Sequence, residues 1–326
     1  MTHTPIPRRT LLAAAGASAL AGLAGPALAQ ADKPVRFVLP NATGSGVDAI
    51  TRAAQPALSK ALGHPIVVDN QPGAGGIVGL QALARSAPDG FTLSVVSNNV
   101  VIFPSVLKSL PFDMPGDFTP IAVMGYTPVV LVVNAKVPAN NAKEFVALLK
   151  DRKGEVNYAS GGNGTILHLA AEMFLDEAGV KARHIPYKGV GPMLTDLIGG
   201  QVEFATAALP SVQQHLKSGA LKAIGMATAQ RVAAAPDIPT FAEQGLPGYV
   251  VEAWFAVVGP KALPAAEQQR VHGALVQAFA DPAVKETMAK MGNVINIQGP
   301  DKAAAFFRSE MAKYAALVKK AGVEPQ

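Results

Sequence analysis

The sequence predicts an α/β protein of two lobes joined by two crossing strands. Three observations carry this. Short apolar runs alternate with helix-like stretches along most of the chain, in repeated β-α-β order. Those runs are apolar throughout, not alternating, as strands of a parallel sheet covered on both faces are. Two such sets occur, and the chain passes between them near residues 126–135 and 247–256. Two crossings make a hinge, and a cleft between lobes is a usual place for a ligand.

The elements read in order as follows. Val35–Leu39 is a strand, 47–62 a helix, 66–68 a strand, 75–86 a helix and Thr92–Ser97 a third strand. The second set opens with the apolar run 128–134. Asn141 followed by Glu144 resembles a capping box starting a helix through Lys150. Then come a strand at 156–159, a helix at 165–177, a strand at Arg183–Pro186, a helix at 191–198, and strands at 202–206 and Leu221–Met226. The chain returns through a strand at 251–258 into helices at 264–279 and 301–321. In the last helix Phe307, Met311, Tyr314 and Val318 form one apolar stripe, a face to be packed on a core. This assigns residues 30–130 and 255–326 to lobe 1 and 131–254 to lobe 2.

Residues 1–29 read as an export signal. Arg8 and Arg9 precede an uncharged run from Leu11 to Leu28, closed by the small-x-small pattern Ala27-Leu28-Ala29. The paired arginines suit the twin-arginine route as well as Sec. Removing that segment leaves 297 residues, about two domains at roughly 150 each. It also leaves 26 basic against 23 acidic residues, a mild +3. No basic block with interleaved aromatics stands out, so no nucleic-acid partner is expected. There is no cysteine, hence no disulfide and no lipid-anchored cysteine; the core alone must hold the fold.

Two glycine-rich turns are the main candidates for chemistry. The first is Ala42-Thr43-Gly44-Ser45-Gly46-Val47-Asp48, between strand and helix. Glycines let backbone approach a ligand, and the free N–H groups of a helix start favour an anion. The second is Ser160-Gly161-Gly162-Asn163-Gly164-Thr165, with His168 one turn into the helix. Two such turns facing each other would grip an acid at both ends. Ser97 and Asn98 end one strand, where α/β ligands collect, and Ala205, Thr206 and Ala207 end another. Lys188 and Gly189 place a cation beside a turn. His168 and Glu172 are spaced as a metal pair, but no third ligand appears, so neither metal nor cofactor is expected.

A rival reading is an exported enzyme. Gly44-x-Gly46-x-x-Ala49 with Asp69 loosely matches a dinucleotide fingerprint, but four residues separate the strand from the first glycine. Serine-elbow, P-loop and H-E-x-x-H motifs are absent, and there is no cysteine nucleophile. A third reading is a ligand sensor for a membrane kinase, which would use the same site.

Several further motifs carry a resemblance: Gly44-Ser45-Gly46-Val47-Asp48 with Arg52; Asn70-Gln71-Pro72-Gly73-Ala74-Gly75-Gly76; and Pro88-Asp89-Gly90-Phe91-Thr92. Pro186-Tyr187-Lys188-Gly189, Gly199-Gly200-Gln201-Val202-Glu203-Phe204, and Arg231 with Pro236-Asp237-Ile238-Pro239-Thr240, Glu243, Gly245 and Trp254 follow. Together, over about residues 34–323, they resemble the periplasmic receptors of tripartite tricarboxylate transporters, the Bordetella uptake type. The resemblance implies a two-lobed type II periplasmic-binding-protein fold, a Venus-flytrap, without catalysis. It implies a small mono-, di- or tricarboxylic acid as ligand, two membrane subunits as partners, and a monomer. It implies residues 42–48 and 160–168 as the two halves of the site, lined also by Asn98, Lys188 and residues 205–207. Ser45 stands where that family often has glycine, and Val47 where it often has a hydroxyl.

Overall fold

A computed structural model describes residues 33–320 and Pro325. The expected export signal, 1–29, lies outside the described residues. Three strands open the fold: β1 (Val35–Leu39), β2 (Ile66–Asn70) and β3 (Thr92–Ser97). β1 runs parallel to both others, as the repeated β-α-β order predicts. Helix α1 (Gly46–Leu62) connects β1 to β2, capped by Ser45 at its start and by the left-handed Gly63 at its end. A single 3₁₀ turn (Ala74–Gly76) leads into α2 (Ile77–Ala84), and α3 (Asn99–Val106) follows β3.

β4 (Phe118–Asn134) is the long crossing strand. Its first part pairs antiparallel with β9 (Glu252–Pro260) and β10 (Val294–Gln298). Its last six residues, from Val129, pair with β7 (Phe204–Ala208) and β8 (Leu221–Met226). The second half contains α4 (Ala142–Asp151), β5 (Asn157–Ser160), α5 (Ile166–Ala178), β6 (Arg183–Pro186), α6 (Val190–Gly199) and α7 (Leu209–Lys217). There β5 lies parallel to β6 and β7. The sheet order is β2-β1-β3-β9-β4-β7-β5-β6, with β8 and β10 also on β4. It is therefore mixed, because both crossings run antiparallel to their neighbours.

Helices α8 (Ala265–Ala280), α9 (Pro282–Lys290) and α10 (Pro300–Lys320) close the chain. α8 packs with α1 around β1, through Leu275 and Phe279 against Ile50 and Leu58. The α10 stripe does what its spacing predicts: Phe307, Tyr314 and Val318 are buried and Met311 is half-buried on the same core. That core joins α3, α5 and α10 and runs under both halves. The capping box at α4 also forms, with Asn141 Oδ1 accepting the Glu144 N–H at 2.9 Å.

Candidate functional site

A cavity of about 80 Å³ opens between the two halves. Since one water needs roughly 10–15 Å³ by this measure, the space holds a small molecule and not just a single water. Five helix starts form its wall. Ser45, Gly46 and Val47 come from α1, Asn99 from α3, and Thr165, Ile166 and Leu167 from α5. Gly189 and Val190 belong to α6, and Ala208 and Ser211 to α7. No side chain caps α6 or α7, so their first N–H groups are left for other acceptors. Lys188 is the sole charged side chain of the wall, is exposed, and makes no ion pair among the described residues. Helix-start dipoles and one ammonium make this an anion site. The remainder mixes the polar Asn41, Ser97 and Thr127 with apolar Pro40, Pro72, Ala253, Trp254 and Phe255.

The expected residues divide into two groups. Ala42, Ser45, Gly46, Val47, Ser97, Gly161, Thr165, Lys188 and Gly189 line the cavity. Thr43, Gly44, Asp48, Asn98, Ser160, Gly162, Asn163, Gly164, His168, Ala205, Thr206 and Ala207 are not part of its wall. Most of these brace it from outside. Asp48 is buried: Oδ2 accepts the Gly44 N–H at 3.0 Å, and Oδ1 accepts Arg52 Nε at 2.8 Å and Asn70 Nδ2 at 3.0 Å. Asn70 also donates to the Asn41 carbonyl at 3.1 Å, tying the first turn to β2. Thr43, Gly44 and Asn163 are exposed.

On the second half Ser160 Oγ accepts the Gly162 N–H at 3.2 Å, and Thr165 donates to the Gly162 carbonyl at 2.9 Å. His168 Nδ1 accepts the Gly164 N–H at 3.0 Å from beneath. Burial pushes its imidazole down to about 4, so the ring is neutral at pH 7 and can accept. Thr206 donates to the Leu167 carbonyl at 2.6 Å, while Ala205 and Ala207 pack into the core behind it. Asn98 Nδ2 donates to the Glu252 carbonyl at 3.0 Å and to the Tyr314 hydroxyl at 2.5 Å. Its neighbour Asn99 is the residue that reaches the cavity. There Asn99 Oδ1 accepts the Ile166 N–H at 2.8 Å, bridging the two halves.

The halves also touch through small residues. A Cβ on Gly162 would stand 3.5 Å from the Gly75 Cα, and one on Gly189 only 3.0 Å from the Ala42 Cβ. Two side-chain oxygens of the wall, Asn41 Oδ1 and Ser211 Oγ, are buried without a partner. Such groups are ordinarily satisfied, so both mark places for a polar ligand atom. The expected site did not include Asn41, Asn99, Ser211, Trp254 or Phe255. Of these, Asn41 adjoins the first glycine turn and Asn99 follows Asn98 at a strand end.

The dinucleotide reading fails on Asp69. Its carboxylate is held by Arg36, with Nε at 2.8 Å, and by Gln71 at 2.9 Å, leaving it engaged within the protein.

Residues 50–323 match the family described as tripartite tricarboxylate transporter family receptor. The chain belongs to that family. It is 34% identical to protein BugT of Bordetella pertussis over 310 residues, covering 94% of this chain and 95% of that protein. Among solved structures, periplasmic binding protein BugD aligns at TM-score 0.86 with 32% identity, covering 90% of this chain and 99% of that one. MatC of Rhodopseudomonas palustris, solved with bound malate, aligns at TM-score 0.78 with 28% identity, covering 87% and 99%. An R. palustris protein solved with adipate aligns at 0.85 with 27% identity, covering 90% and 100%. The receptor family is one of solute-binding proteins, and this member is a receptor, not an enzyme.

Proposed function

We propose that this receptor traps one small organic acid in the cavity between residues 30–130 with 255–326 on one side and 131–254 on the other. The observation that carries the reading is the wall itself: five helix starts, one ammonium and no carboxylate. One carboxylate of the ligand lies between the starts of α1 and α5, against Ser45, Gly46, Gly161 and Thr165. Lys188 and the uncapped start of α6 at Gly189 take a second acidic or polar group. Asn41 and Ser211 complete the polar contacts, and the carbon skeleton rests on Trp254 and Phe255. Backbone N–H groups and bridging water bind a carboxylate adequately without an arginine clamp. That malate and adipate occupy relatives of the same fold supports a di-acid or a short hydroxy acid.

On this reading the chain is exported to the periplasm behind a cleaved signal, 1–29, by the twin-arginine or Sec route. It works as a monomer and delivers its ligand to two membrane subunits. The single tryptophan of the chain, Trp254, lines the cavity and serves as a built-in reporter. Titrating acetate, succinate, malate, adipate, citrate and benzoate against Trp254 fluorescence and calorimetry is expected to give micromolar binding for at least one acid. The corresponding neutral amides are expected not to bind. Equal binding of acid and amide, or no binding across the panel, overturns the proposal.

A further inference from the structure

Beneath the second turn lies a cluster that the cavity does not use. His168 on α5 and His184 on β6 stack face to face, with ring centroids 3.9 Å apart and planes 8° from parallel. Tyr158 on β5 stacks on His184 at 4.8 Å, and its hydroxyl donates to Glu172 on α5. Above the pair, each ring holds one end of the turn. His168 Nδ1 accepts the Gly164 N–H at 3.0 Å. His184 Nε2 lies 2.6 Å from Ser160 Oγ, the atom that accepts the Gly162 N–H. A backbone N–H only donates, so Nδ1 of His168 must be unprotonated and its proton sits on Nε2, facing Glu172 at 3.9 Å.

We propose that the His168–His184 pair is the positioning device of turn 160–165, and that the turn keeps its anion-binding shape only while the His168 ring is neutral. The consequence for ligand capture rests on the function proposed above; the positioning of the turn does not. The groups facing the pair are Tyr158 from β5, Glu172 from α5 and each imidazole toward the other. Glu172 favours a cation on His168, but burial opposes it and holds the ring down at about 4. His184 is held down at about 3, by burial first and then by the neighbouring ring. When His168 takes a second proton it does so at Nδ1, the nitrogen that the Gly164 N–H needs. That amide then loses its acceptor and the glycine turn loses its tether.

The test uses the ¹⁵N-labelled full chain without ligand, from pH 7.5 to 3.5. The Gly164 amide is expected to shift with a midpoint near 4, while far-UV circular dichroism stays unchanged above that pH. In His168→Leu its hydrogen exchange at pH 7.5 is expected to rise at least tenfold, and the acid transition to vanish. Should that variant not fold, the wild-type titration still decides. A Gly164 amide indifferent to both pH and His168→Leu overturns the proposal. In parallel, any acid of the panel that binds wild type is expected to bind His168→Leu at least tenfold more weakly at pH 7.5, where its own carboxylates stay ionised, through faster release. Undiminished binding by that variant also overturns it. If no acid binds wild type at pH 7.5, the function proposed above fails, and the Gly164 titration still judges the positioning role.

Discussion

The two turns that meet across the cavity look alike in sequence but are held by opposite means. The first, 42–48, is braced by charge: Asp48, Arg52 and Asn70 form a network whose arginine is about half exposed. The second, 160–165, is braced by neutral rings and hydroxyls inside the core. Their glycines differ in the same way. Gly44 and Gly164 both adopt left-handed backbone, with φ of 83° and 69°. Around Gly44 a Cβ would meet nothing within 4 Å, whereas on Gly164 it would overlap Val106 of α3. At Gly44 the first turn faces open space, whereas at Gly164 the second is fitted against the opposite half.

Breaking that contrast gives the largest expected effect. Gly164→Ala carries both backbone strain and overlap, and is expected to cost about 3 kcal/mol of stability. Gly44→Ala carries strain alone, about 1 kcal/mol. Urea denaturation of the two variants checks this, and equal losses would mean that the turns are equivalent. Next in size, Asp48→Ala leaves three donors short of an acceptor and is expected to cost about 2 kcal/mol. Because Arg52 is half exposed, salt is expected to weaken the wild-type brace, so the penalty shrinks between 0.1 and 1 M NaCl. A penalty independent of salt would place the first turn with the second. On ligand binding, Asn99→Ala removes the bridge to Ile166 and is expected to weaken affinity about tenfold, or ~1.4 kcal/mol. With no native cysteine in the chain, paired spin labels at introduced cysteines can read whether the halves also part. Unchanged affinity and spacing would remove Asn99 from the contact between them.

Much of this was legible beforehand. Apolar runs gave β1 to β3, caps gave α1 and α4, and the spacing of Phe307, Met311, Tyr314 and Val318 gave the face of α10. The crossing strand was read only from Pro128, though it begins at Phe118. Pro120 and Gly125 look like breaks in sequence, yet they sit where the ladder to β9 shifts register, as bulges do. Within the site, glycine marked three of five helix starts, those of α1, α5 and α6. The starts of α3 and α7 have no glycine, so Ser211 gave no local signal and Asn99 only its place after Ser97 and Asn98 at a strand end. Trp254 and Phe255 enter the wall only because β9 returns beside β3 and β4. His168 was identified from its place near the turn, but sequence could not say that its ring points beneath the turn and not into the opening.

The wall also depends on the far end of the chain. The Trp254 indole donates to Glu310 at 2.7 Å, and Asn98 to the Tyr314 hydroxyl, both on α10. Glu310 and Tyr314 are therefore made after every residue of the wall. Until they have emerged, the indole N–H has no carboxylate to meet and the Asn98 amide keeps only the Glu252 carbonyl. Nascent chains stopped short of them would carry the whole wall and still lack a settled chamber.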